Sequence, residues 1–264
     1  MSNSFLYNIP AFLIAVFLFA GILVFHILGF KIIKYQKNKD PEFSTAGIGP
    51  LEGALLGLIS LLLAFTFNKS AANHDNRNGL LLQEANDIEA ALLRADLYPD
   101  SIRKQFRNEF KEYIISRIDY YKANRNTKKI QQELDKADSI STLIWQQASK
   151  LSQQTSADNR SIQMIPAVNN MIDTMSKREV SRVSHVPESI LWLLFLLIVA
   201  GSFIVGYATN ANKINWIVIF VYSLMIVMTV YLILDLDRPR RGIINSDNMH
   251  HNMERLLNVF KNDL

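Results

Sequence analysis

Cysteine is absent from the 264 residues, which excludes disulfides, thiolate nucleophiles and cysteine-ligated metals. A glycine-rich phosphate loop, a nucleophile elbow and a paired-carboxylate motif are also missing, so enzyme chemistry has no residues to rest on. His185, His250 and His251 show no metal-ligand spacing with other donors, and neither a zinc site nor a cofactor is expected. Net charge is low, at +4, and the basic residues do not gather into a patch interleaved with aromatics, which excludes nucleic acid as a partner. Strand-type alternation, internal repeats and low-complexity tracts are lacking, which leaves helix as the regular structure.

Long apolar runs, by contrast, are plentiful. Four stretches are nearly free of charge: Ile9 to Phe30, Leu51 to Phe67, Ile190 to Tyr207 and Ile214 to Leu234. The first covers roughly 33 Å at about 1.5 Å per residue, enough to cross a hydrocarbon core. It is not read as a signal peptide. No Lys or Arg precedes it, and Lys31, Lys34 and the interfacial Tyr35 follow it in place of a cleavage site. The second is near the short limit for a span and follows the turn-forming Gly47-Ile48-Gly49-Pro50. Pro187 suits the first turn of the third, and the polar Asn210 to Lys213 connects the third to the fourth. A helix satisfies its own backbone groups in lipid. We therefore expect an all-α, four-pass membrane protein in contact with the lipid bilayer. Residues 1–67 hold the first transmembrane pair, 68–186 a soluble helical domain, 187–236 the second pair, and 237–264 a polar C-terminal tail.

Helical periodicity continues between the two pairs. Leu81, Ala85, Ile88 and Leu92 repeat at helical spacing, so the second span is expected to run on into water until Pro99 breaks it. Ile102, Phe106, Phe110, Tyr113 and Ile114 mark a second helix, and Ile130, Leu134, Ala137, Ile140 and Ile144 a third. A fourth, interrupted or kinked near Pro166, leads through Met171, Ile172 and Met175 toward the membrane. These stripes read as bundle core. With four spans, both termini and the middle domain share one side. That side holds Lys69, Arg77, Lys177, Arg178, Arg182, Arg238, Arg240 and Arg241 near the membrane ends, against Lys31, Lys34, Lys37, Lys39 and Lys213 opposite. The positive-inside rule places it in the cytoplasm.

The second span has two distinct rows. Gly49, Gly53 and Gly57 recur every four residues and continue as Ser60 and Ala64, a small-residue face of the kind that lets membrane helices pack closely. Ile59, Leu63 and Phe67 form a second row at the same spacing, roughly opposite at 100° per residue. This bulky row faces either lipid or a pore lined by copies of the same helix.

Around these rows the sequence resembles a known family. GLISLLLAFTFNKSAANHDNR followed by QEANDIEAALLRADLYP is similar to the region of bestrophins where the pore-lining helix leaves the membrane and enters the cytosolic bundle. YLILDLDRPRRG resembles the segment after their fourth span. The bacterial bestrophin-like membrane family is closer still, with a Glu-Ala after the second span, Pro187 then Leu191-Trp192 opening the third, and Asp-Leu-Asp-Arg-Pro near the end. The resemblance covers most of Gly47 to Ser246. It implies a homo-oligomeric, pentameric ion channel of the bacterial inner membrane, passing a small anion or monovalent cation through a neck of three apolar rings. Carried over residue by residue, the rings are Ile59, Leu63 and Phe67. A narrow apolar throat can gate by dewetting.

One departure bears on metals. Calcium-sensing bestrophins have Asp-Pro-Phe-Gly and then acidic residues, where this chain has Arg238-Pro239-Arg240-Arg241-Gly242. Asp235 and Asp237 alone give a hard cation too few oxygens, so calcium gating is not expected, and the arginines read as a cytoplasmic membrane anchor. Glu52, in the first turn of the second helix, suits the positive helix end; the functional alternative is a carboxylate ring at the pore mouth. His26 reads as a neutral imidazole bonded to a neighbour. Asp75 and Arg77 read as a surface pair or a subunit contact. The alternative to a channel is a non-conducting scaffold or sensor whose helical domain binds a partner.

Overall fold

The computed structural model describes residues 5–40, 43, 47–123, 126–154, 159–209, 213–238 and 247–262. Among them the chain forms nine α-helices: α1 Phe5–Asn8, α2 Ala11–Lys39, α3 Ile48–Ala95, α4 Asp100–Lys122, α5 Thr127–Gln154, α6 Asn159–Val183, α7 Glu188–Ala208, α8 Trp216–Asp237 and α9 Asp247–Leu256. A 3-10 turn, Leu257–Asn262, follows. No strand occurs among the described residues. They fall into two compact units, one within 1–74 and 184–244, the other within 75–183 and 245–264.

The first unit holds α1, α2, the first half of α3, α7 and α8. Among the described residues, four helices are long and apolar enough to cross a membrane, and the fold is an all-α four-pass one. Local chemistry sets the helix starts. Pro10 and Pro187 stand at the N-caps of α2 and α7, where the missing N–H removes no helical bond. The Asn215 side chain accepts from Val218 N at 3.4 Å and caps α8. Ile14, Leu18, Ile22, Leu191, Leu194, Ile198, Val230 and Ile233 build this unit's core.

Helices α2 and α7 approach backbone to backbone. A Cβ on Gly29 would run into the Phe203 carbonyl oxygen and lie 2.8 Å from Tyr207 N, and one on Gly206 would meet the His26 carbonyl. Ser202 Oγ donates to Ile22 O at 2.6 Å across the same contact. Small residues permit backbone-to-backbone packing in a medium where apolar burial alone gives no preference for protein over lipid. His26 is buried here.

The second unit is a helical bundle of the second half of α3 with α4, α5, α6 and α9. Leu81, Ala85, Ile88 and Leu92 are buried, as are Phe106, Phe110, Tyr113, Ile114, Ala137 and Ile144. Inside lies an ionic cluster. Glu84 Oε1 accepts from Arg117 Nε at 2.6 Å and from Tyr113 Oη at 3.1 Å, while Glu84 Oε2 pairs with Arg178. Glu84 and Arg117 side chains are wholly buried. Burial pushes the Tyr113 phenol up to about 12, against the opposing pull of Arg117, so it stays a donor to Glu84.

Three features differ from the sequence expectation. Residues 237–264 are not simply a polar tail: Met253, Leu256 and Phe260 are buried in the bundle core, Lys122 Nζ pairs with Glu254 at 2.9 Å, and Arg107 lies over the Phe260 ring at 5.4 Å. The i, i+3, i+7 spacing gives this segment an apolar stripe that water would otherwise cover. Helix α6 is continuous through Pro166, so of the two expectations there, interruption or a kink, the structure excludes the interruption. Proline there removes one hydrogen bond to Ile162, and buried Met164, Ala167, Val168 and Met171 hold the helix on either side. Finally, α3 begins at Ile48, so most of the expected turn is helical. Pro50, as the third helical residue, has no intrahelical N–H bond to lose.

Candidate functional site

Of the four apolar helices, α3 is the least covered by its own chain. Only 6% of its most apolar eighteen-residue window is buried, against 33–39% in the other three. The buried strip carries Ile59, Thr66, Ser70 and Asn73, with Leu55, Leu56, Leu62 and Leu63 half-buried beside it. Leu51, Leu58, Leu61 and Phe65 point away from the chain. A Cβ built on Gly49, Gly53 or Gly57 would find nothing of the chain within 4 Å. The small-residue face is thus open, and the close small-residue packing seen inside the chain belongs to α2 and α7.

The structure does not keep Ile59, Leu63 and Phe67 on one outward face. Ile59 is 2% exposed, and its Cδ1 would lie 2.7 Å from a Cβ on Gly201 of α7. Leu63 packs half-buried against the same core, and Phe67 is 41% exposed. The cause is geometric. A row of every fourth residue rotates by about 40° per step on a helix of 100° per residue, so it starts in the chain's own core and emerges only at Phe67. Glu52 is half-buried. As the fifth residue of α3 it is past the first turn, where the helix end acts most strongly on a carboxylate. Asp75 is exposed and Arg77 half-buried.

A second constellation, which the sequence reading missed, lies at the end of α8. Asp237 is 1% exposed and acts as a common acceptor. Its Oδ1 takes Asn73 Nδ2 at 3.0 Å, and its Oδ2 takes Val186 N at 2.9 Å together with the Tyr7 hydroxyl. His185 Nδ1 sits 3.0 Å from the Asp237 carbonyl, and its ring stacks on Tyr7 at 4.4 Å. Burial, reinforced by the Asp237 carboxylate, raises the pKa of the Tyr7 phenol and keeps it a donor. Arg238 is buried too: Nη1 donates to Ile9 O at 2.6 Å and Nη2 to Leu6 O at 2.9 Å. Glu188 Oε1 accepts from Leu6 N at 2.9 Å. The anchor role expected of Arg238 is therefore corrected, because its guanidinium is committed to backbone carbonyls; Arg240 and Arg241 lie outside the described residues. The available signal was an Asp-Leu-Asp-Arg run continuing an apolar helix with no solvating break.

His185 belongs to this constellation, while His251 is exposed and 3.9 Å from Glu254; the His250 side chain lies outside the described residues. Among the described residues no group of three or more His, Cys, Asp or Glu side chains is arranged to hold a metal.

Comparison with known proteins agrees with this architecture. The chain matches the solved structure of a bacterial bestrophin homologue from Klebsiella pneumoniae in two mutant forms. One has a TM-score of 0.70 at 13% identity, covering 92% of this chain and 97% of that one; the other has 0.65 at 12%, covering 93% and 97%. A membrane protein structure matches with a TM-score of 0.70 at 14% identity, covering 92% of this chain and 96% of that one. At these identities the likeness is one of fold. No curated protein sequence matches the chain. The model of the Bestrophin-like domain matches residues 14–245, and by that match the chain belongs to the Bestrophin-like family.

Proposed function

We propose that the protein is a homo-oligomeric ion channel of the bacterial inner membrane, with five copies of α3 around a shared axis and the bundle in the cytoplasm. The observation that carries this reading is the uncovered α3. Its apolar window is 6% buried while the other spans reach at least 33%, and its glycine face has no neighbour from its own chain. Neighbouring copies packed on Gly49, Gly53 and Gly57 supply the missing contacts. Family membership supports the same assembly, since bestrophins conduct through their second helix.

In this reading the apolar constriction is set by Phe67 and by Leu63 as the row turns outward, with Ile59 seated behind them against Gly201. Dewetting in such a ring holds back any small ion, so the neck itself does not choose between an anion and a monovalent cation. Half-buried Glu52 is the candidate mouth residue. The test is ion flux into liposomes containing the purified protein. Phe67→Ala is expected to raise flux by about tenfold, because removing about 1.4 kcal/mol of barrier gives that factor. Leu63→Ala is expected to raise it less. Absence of flux in wild type and both variants, or a monomeric or dimeric mass in detergent, would refute the proposal.

A further inference from the structure

Two backbone carbonyls of the N-terminal segment, Leu6 O and Ile9 O, converge on one positive group, the guanidinium of Arg238. Converging carbonyls are what a hard cation seeks, and such an ion takes six to eight oxygens at short range. In the resemblance noted above, calcium-sensing bestrophins have acidic residues just beyond the corresponding position. Here the donor set does not suit a metal ion. Both carboxylate oxygens of Asp237 are already bonded to donors, from Asn73, Val186 and Tyr7. The carbonyls are taken by nitrogen at 2.6 and 2.9 Å.

We propose that Arg238 is a built-in cation: it holds the N-terminal segment to the end of α8 in place of a metal ion, so that this clasp closes independently of calcium. A guanidinium is well suited to the task. Its planar fork reaches two acceptors at once and stays charged at any physiological pH. The segment is gripped on several groups. Leu6 N goes to Glu188 and Leu6 O to Arg238. The Tyr7 hydroxyl bonds to Asp237 while its ring lies beneath Arg238 at 5.8 Å. A calcium ion entering this place would have to displace the guanidinium and strip N–H donors from Asp237, leaving buried polar groups without partners.

Amide hydrogen exchange of the full-length protein in detergent tests this, read on the peptide that contains Leu6 to Leu13. Millimolar calcium or EDTA is expected to leave wild-type exchange unchanged. Arg238→Ala should accelerate it by about tenfold or more, given the usual strength of charge-assisted hydrogen bonds. Arg238→Lys, a point charge that serves one carbonyl well, should fall between the two. Exchange within α7 reports whether the variant keeps its fold. If Arg238→Ala loosens α7 as well, Arg238→Lys and the wild-type calcium series decide. A calcium-dependent change in the wild-type peptide, or equal protection in Arg238→Ala and wild type, would overturn the proposal. Because exchange and not flux is measured, failure here leaves the conduction reading standing, and the reverse also holds.

Discussion

Replacing Glu84 by alanine is expected to destabilise the helical bundle by about 3–5 kcal/mol, the usual cost of removing one partner from a buried ion pair. The wild-type carboxylate neutralises Arg117 at 2.6 Å and also pairs with Arg178. It further accepts from Tyr113 at 3.1 Å. Alanine would strand the Arg117 guanidinium, which is wholly buried, and leave the Tyr113 hydroxyl without its acceptor. Glu84→Gln keeps the shape and one acceptor oxygen but not the charge, so an intermediate loss is expected. Joint replacement of Glu84 and Arg117 by methionine should recover part of it, since no guanidinium is then stranded at residue 117, while Arg178 and the Tyr113 hydroxyl still lose Glu84. Thermal unfolding followed by helical circular dichroism distinguishes these cases. A change below about 1 kcal/mol for Glu84→Ala would mean that water reaches the cluster.

The second large effect concerns single methyl groups. Gly206→Ala is expected to cost about 1–3 kcal/mol, because its Cβ meets the His26 carbonyl and rigid backbone cannot yield as a flexible side chain would. Gly29→Ala should behave alike against Phe203 and Tyr207. Gly57→Ala supplies the contrast. Nothing of its own chain lies within 4 Å of the added carbon, so the single chain should keep its stability. Any loss must then come from a neighbouring copy, visible as a lower oligomeric mass in detergent. Equal losses of single-chain stability for Gly57→Ala and Gly206→Ala would contradict this division.

Much of the fold is legible in the sequence because lipid leaves few alternatives. A run such as Ala11 to Phe30 is too long and too apolar to be hidden otherwise, and Pro10, Pro99 and Pro187 fix helix starts through their missing N–H. The repeat of Leu81, Ala85, Ile88 and Leu92 carries α3 on as one helix of 48 residues. The closing helix was readable from Met253, Leu256 and Phe260, but the preceding arginines suggest a solvated tail. The orientation of α3 about its own axis was not readable. Spacing shows that Ile59 lies opposite Gly57, yet not which side turns toward α7. The clasp at Asp237 was hidden for another reason: Tyr7, Asn73, His185 and Asp237 are far apart in sequence and meet only through folding.

The absence of cysteine makes the central claim open to a direct measurement. Single cysteines at residues 59 and 67 can be treated with a charged, water-soluble thiol reagent during flux recording, with no background reaction. Phe67→Cys is expected to react and to change the flux, while Ile59→Cys, seated against Gly201, stays unmodified. Rapid reaction at residue 59 would instead turn that side of α3 toward the pore, whereas no reaction at residue 67, or modification there with no effect on flux, would contradict the assignment of α3 to the conduction axis.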